Sequence, residues 1–299
     1  MAVFRVAAPL VGAIATLLCL TSVSLADCGS YAEHVDAALA RRDRSALKLA
    51  YANVSDCTDA NYRSKVGHHI AQRLLIEAGE SPSELALLEL VKYGAEWQAL
   101  AMLGDIAQKQ GDYPAASTRY QQALLQIADE FATPTKPGPA VIMAIKRKAE
   151  EASLLSPTYV ATPRGRGNEN EGLAAASIRG VKIERVSLPV QFVFARTELT
   201  SEGYKAAEDL ASLLKNESPS PAGITLVGHT DRVGTDQANM VLSLARATAV
   251  AEFLRQRGIT IRIAVRGVGF HEPYDAADRT ELSQEQIDQL DRRVELVRD

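Results

Sequence analysis

From Tyr31 to Leu155 apolar residues recur at helical spacing, with little of the alternation that marks a strand. Ser30–Asn53 predicts two short helices around Arg41-Arg42-Asp43-Arg44, and Asn61–Ala78 predicts a helix closed by Gly79. Ser81-Pro82-Ser83-Glu84 reads as a start signal: a serine cap, a proline in the first turn and an acidic residue. Leu85, Leu88 and Val91 would then lie on one face of that helix. The clearest stretch is Trp97 to Glu130, where Gly111-Asp112 makes a turn between two helices. Gly104 and Ala107 let the pair approach closely, and Tyr113, Ala116, Tyr120 and Ala123 are knobs on the second member. Ala140–Leu154 predicts a closing helix.

The pattern changes from Val181 onward to strands alternating with helices. Val186–Phe194 reads as a strand and Ser201–Lys215 as an amphipathic helix with Ala206, Ala207, Leu210, Leu213 and Leu214 inward. Ile224–Val227 is a buried strand. Thr235 or Asp236 caps a long helix that stops at Gly258. Ile259–Val265 and Arg293–Val297 complete the strands, with a loop and a short helix at Glu281–Leu290 between them. The β-α-β-α-β-β order places the helices on one side of a small mixed sheet. The predicted fold class is therefore α+β, an all-α helical-repeat domain followed by this sandwich.

The predicted organisation is a signal peptide at 1–26, a helical domain at 27–157, a flexible linker at 158–180 and the α+β domain at 181–299. Arg5, the apolar run Val11–Leu20 and Ser24-Leu25-Ala26 form the charged, apolar and small-residue parts of an export signal cleaved after Ala26. The apolar run is short for a membrane span, and no later segment reaches that length, so none is expected in the mature chain. Ser156-Pro157, Pro163 and the polar run Arg164–Gly172 are the material of a spacer.

Composition narrows the partners. The 299 residues carry 33 Lys+Arg against 37 Asp+Glu, a net charge of −4, which argues against nucleic acid. An exported chain meets oxidising conditions, and Cys28 and Cys57 bracket the first predicted helical hairpin, so a Cys28–Cys57 disulfide is expected. His68-His69 would not converge on a metal, because adjacent helical residues face different directions. No metal site or cofactor is expected.

The candidate chemistry lies in the second half. Gly228-His229-Thr230-Asp231 ends the second strand, and Asn239, Leu242, Ser243 and Arg246 share one face of the long helix beneath it. A carboxylate and a guanidinium at the two ends of one pocket suit a zwitterion such as an amino acid, because the planar guanidinium pairs two-to-two with a carboxylate. His229 reads as a strand-end residue bonded to backbone. Arg292 and Arg293 alternate, so only one of them can face the site, and Arg292 is the choice.

Two resemblances follow. Trp97–Glu130 resembles one tetratricopeptide repeat, with degenerate neighbours before it, which implies a surface for a protein partner. Gly228-His229-Thr230-Asp231, Gly234, Asn239-x-x-Leu242-Ser243-x-x-Arg246-Ala247 and Arg292-Arg293-Val294-Glu295 closely resemble the OmpA-like peptidoglycan-binding domain, over Leu188–Val297. Phe194, Glu198-Leu199-Thr200 and Gly267-x-Gly269 extend the likeness. The resemblance implies that Asp231 and Arg246 hold the diaminopimelate of a peptidoglycan stem peptide, with Asn239, Leu242 and Arg292 bordering the pocket. Asp291 stands where the family often has Asn, and Ala195-Arg196 where it often has Asp.

A non-catalytic, exported, cell-wall-associated protein of the periplasm is the resulting expectation, with outer-membrane association left open. The alternative is a peptidoglycan hydrolase using Asp231, for which the sequence offers no G-x-S-x-G, no H-E-x-x-H and no second carboxylate beside Asp231.

Overall fold

The computed structural model describes residues 28–54, 60–79, 82–93, 97–130, 132–163, 175–217, 221–276 and 278–298. The predicted export signal and the Cys28–Cys57 pairing lie outside them. The first half is helical: α1 (Cys28–Ala40), α2 (Arg44–Val54), α3 (Ala60–Ala78), α4 (Glu84–Val91), α5 (Trp97–Lys109), α6 (Tyr113–Ala128) and α7 (Pro139–Leu155). The second half runs β1 (Ser177–Ile178), β2 (Val181–Lys182), β3 (Arg185–Leu188), α8 (Ser201–Asn216), β4 (Gly223–Gly228), α9 (Asp236–Gln256), β5 (Arg262–Gly267), α10 (Gln284–Asp291) and β6 (Val294–Arg298). The fold class is α+β, as the pattern predicted.

The main sheet has the order β3-β6-β4-β5. β4 and β5 are parallel, Ile224 opposite Ile263, while β6 lies antiparallel between β3 and β4, with Leu296 opposite both Val186 and Leu226. This central position explains why Val294 and Leu296 are fully buried although they lie at the end of the chain.

Local chemistry sets the helix boundaries. Asp112 caps α6 by accepting from the Ala115 N–H at 3.1 Å, and Thr235 caps α9 through the Ala238 N–H at 3.2 Å. α4 differs from its expectation. Its cap is Ser83, not Ser81, and the buried face is Leu87 and Leu90, while Leu85 is 80% exposed. In an eight-residue helix with five leucines and valines, periodicity alone does not choose a face. The α5–α6 pair packs as its small residues predicted. A Cβ added at Gly104 would sit 2.5 Å from the Tyr120 ring, so the two helices touch through that glycine.

The span read as a flexible linker departs from expectation in its described parts. Tyr159 donates its N–H to Glu202 at 2.6 Å and its hydroxyl to Asp209 on α8. β1 and β2 form a tight hairpin whose turn residues, Arg179 and Gly180, both have positive φ. Ile178 and Ile183 are buried, and Arg179 donates to the Thr133 carbonyl at 2.7 Å. The missed signal was a two-residue turn between Ile178 and Val181, hidden behind the polar run that precedes it.

The two halves share one core. Leu100, Tyr120, Leu124, Ile142 and Ile145 of the helices join Ile178, Val186, Ile224, Leu254 and Leu296 in a single apolar cluster. Each such side chain contributes roughly 1.5–3 kcal/mol by leaving water. α7 is also tied to the sheet by buried charge. Lys146 pairs with Glu150 and donates to the Arg185 carbonyl at 3.0 Å, and Glu150 accepts the Ser187 N–H at 2.9 Å. The first five helices close a second cluster around Val35, Leu47, Ile70, Leu87 and Leu103.

Candidate functional site

β4 ends at Gly228 because nothing larger fits. A Cβ there would lie 2.0 Å from the Ser243 carbonyl oxygen, so the strand end rests directly on α9. The chain then turns through His229, Thr230 and Asp231, all buried. The His229 Nδ1–H donates to the Glu272 carbonyl at 3.0 Å, and Nε2 faces Glu295 at 3.4 Å. His229 is thus a strand-end residue bonded to backbone, as read from the sequence. The Thr230 hydroxyl is buried and finds no hydrogen-bond partner among the described residues, next to the central carboxylate; no local pattern in the chain signals this.

Asp231 accepts the Val233 N–H at 3.0 Å through Oδ1 and the Arg292 guanidinium at 2.7 Å through Oδ2. Its side chain is 10% exposed and that of Arg292 is 34% exposed. Arg292 faces the site and Arg293 does not. Arg292 reaches Asp231 from the end of α10, before β6 begins at Val294. Arg293 turns the other way, onto Glu295 at 2.8 Å and over the Tyr274 ring at 5.3 Å.

Arg246 rises from α9 on the same side. It is buried, donates from Nε to the Arg196 carbonyl at 3.1 Å, and lies over the Phe192 ring at 5.0 Å. Among the described residues its terminal nitrogens carry no hydrogen bond. Burial holds this guanidinium below its ordinary pKa, the Arg292 charge adds to that, and the Asp231 carboxylate opposes it. The three charges therefore share one electrostatic neighbourhood, with Asp231 bonded to Arg292 and Arg246 left without a carboxylate among the described residues. Arg246 and Arg292 line a cavity of about 320 Å³.

Of the remaining predicted residues, Asn239 supports this arrangement and Leu242 and Ser243 do not line the cavity. Asn239 is buried and donates to the Val233 carbonyl at 3.1 Å, holding the loop that carries Asp231. Ser243 is not free to line a pocket: its hydroxyl donates to the Met240 carbonyl at 3.0 Å and accepts the Gly269 N–H at 2.9 Å. Leu242 is half-buried on α9 and does not line the cavity. Phe194 is 80% exposed, and its neighbour Phe192 is the ring that backs Arg246.

Both departures from the family pattern have structural roles. Asp291 is buried and accepts the Tyr274 N–H at 2.7 Å, fastening the long excursion before α10. Ala195 adopts a left-handed φ of 55°, and the turn it makes presents the Arg196 carbonyl to Arg246. Among the described residues no group of His, Cys, Asp and Glu is arranged to hold a metal, and no helix is long and apolar enough to cross a membrane.

A strand-helix sandwich with a carboxylate at the end of β4 and a buried arginine on α9 defines the class of domain. Residues 191–288 match the OmpA family. The chain is 34% identical over 139 residues to outer membrane protein A of Shigella flexneri, covering 44% of this chain and 40% of that protein. Against outer membrane protein A of Escherichia coli O157:H7 it is 37% identical over 112 residues, 36% of this chain and 32% of the relative. The chain thus spans less than half the length of these curated relatives. Among solved structures, the peptidoglycan-associated lipoprotein from Burkholderia pseudomallei aligns at 24% identity and TM-score 0.31, over 40% of this chain and 92% of that one. The OmpA-like domain of FopA1 from Francisella tularensis aligns at 23% identity and TM-score 0.31, over 38% and 69%.

Proposed function

We propose that the protein is a non-catalytic, periplasmic cell-wall-binding protein whose second half holds the diaminopimelate stem peptide of peptidoglycan. The observation that carries this reading is the buried Arg246 guanidinium, unpaired by any carboxylate among the described residues, beside an Asp231 that keeps spare acceptor capacity. An ionised carboxylate offers about four acceptor sites. Val233 and Arg292 use one each, so an ammonium can still be received while Arg246 takes a carboxylate. Diaminopimelate supplies both groups at one end of its side chain. The OmpA-family match over 191–288 and the outer-membrane name of the curated relatives support the cell-envelope part of this reading. On this reading the chain is exported to the periplasm, and α1–α6 present a surface to a protein partner.

Sedimentation with purified sacculi tests it. The full chain should pellet, free meso-diaminopimelate should release it, and Asp231→Ala/Arg246→Ala should stay in solution. A parallel turbidity assay addresses the alternative: sacculi cleared by the parent and not by Asp231→Ala would make the protein a hydrolase. A double variant that pellets like the parent would show that the site does not bind the wall.

A further inference from the structure

The cavity beside Arg246 and Arg292 is not built by the second half alone. Part of its lining is Leu154 and Leu155 from the end of α7, and Pro157 just beyond. That wall is fixed in place. Leu154 and Leu155 are buried against Tyr274 and Leu290. Gln289 on α10 donates to the Leu154 carbonyl at 2.8 Å, and Gln191 donates to the Ser156 carbonyl at 3.2 Å. The helical half therefore reaches the cavity as a rigid element.

The charges beside the cavity do not balance. Among the described residues Arg246 and Arg292 face a single carboxylate, Asp231, and Asp291 next to them is turned onto the Tyr274 N–H. A zwitterion adds no net charge and leaves one guanidinium uncompensated. Arg292 uses only Nη1 on Asp231, and its other guanidinium N–H groups carry no hydrogen bond among the described residues. The site as a whole thus calls for one more anionic group, placed next to an apolar wall.

We infer that the helical half forms part of the wall-peptide site, and that the cavity takes the alanyl tail that follows diaminopimelate in the stem. The tail carboxylate lies on the free edge of Arg292, and its methyl group lies against Leu154, Leu155 and Pro157. This rests on the reading of Asp231 and Arg246 as the diaminopimelate clasp, and extends it to a second subsite.

Calorimetric titration of the full chain with three synthetic peptides tests the inference. They are the stem tripeptide ending in meso-diaminopimelate, the tetrapeptide ending in D-alanine, and that tetrapeptide as its C-terminal amide. The acid tetrapeptide should bind roughly fivefold more tightly than either of the others, the scale of one partly exposed ion pair. Pro157 is exposed, so Pro157→Asp should leave the fold intact by circular dichroism while its new charge removes that preference. Gln289→Ala, which loosens the wall without adding charge, should reduce it. Equal binding of the three peptides, or a preference that survives Pro157→Asp, would overturn the inference and leave the clasp standing. Binding of none of the peptides would overturn both.

Discussion

Glu295 sits in β6 with its side chain 5% exposed, between Arg293 at 2.9 Å, Arg185 at 2.8 Å and His229 at 3.4 Å. Burial alone would push its carboxyl up; the His229 ring beside it and the Arg293 guanidinium, which donates to it, overcome this and bring it down to about 2. In the unfolded chain the same group titrates near 4.5. The unfolded state therefore binds a proton first as pH falls, and the fold loses stability through that window. The stabilisation is fully present above about pH 5 and is lost progressively toward pH 2, a total of roughly 3 kcal/mol. Glu295→Gln should be about 3 kcal/mol less stable than the parent at pH 7, by urea unfolding. The gap should narrow to about 1 kcal/mol by pH 3. Other carboxylates are common to both proteins and drop out of the difference. A gap that stays constant from pH 7 to pH 3 would refute the reasoning.

Three further substitutions probe the scaffold. Gly228→Ala puts a Cβ 2.0 Å from the Ser243 carbonyl oxygen, so strand and helix must separate. A loss of about 3 kcal/mol or more in urea unfolding is expected, together with weaker sacculus binding, because the adjacent Asp231 loop shifts. Gly104→Ala meets the Tyr120 ring at 2.5 Å and should cost about 1–3 kcal/mol, with sacculus binding retained. Thr235→Ala removes the cap of α9 and should lower the stability by about 1 kcal/mol, read as a fall in thermal midpoint.

Local periodicity made one part of the site legible. Asn239, Ser243 and Arg246 share a face of α9 because helical offsets can be counted along the chain. The Asp231–Arg292 ion pair could not be counted that way. Its partners are 61 residues apart and meet only because β6 inserts between β3 and β4, a pairing that no local pattern encodes. The same limit hid the role of α7. Its sequence reads as a closing helix, but burial of Leu154 and Leu155 against Tyr274 and Leu290 depends on contacts more than a hundred residues away. Short elements failed for another reason. β5 begins at Arg262, not Ile259, and α4 turns Leu87 and Leu90 inward, because runs of aliphatic residues leave the register to tertiary packing.

The central claim is that Arg246 takes a carboxylate while Asp231 takes the ammonium beside it. The direct measurement is titration of the full chain with two stem tripeptides, one carrying meso-diaminopimelate and the other lysine, which keeps the ammonium and lacks the second carboxylate. The diaminopimelate peptide should bind at least about tenfold more tightly, a difference of roughly 1.4 kcal/mol, and Arg246→Ala should erase the difference. Equal affinity for the two peptides, or discrimination unchanged in Arg246→Ala, would contradict the account.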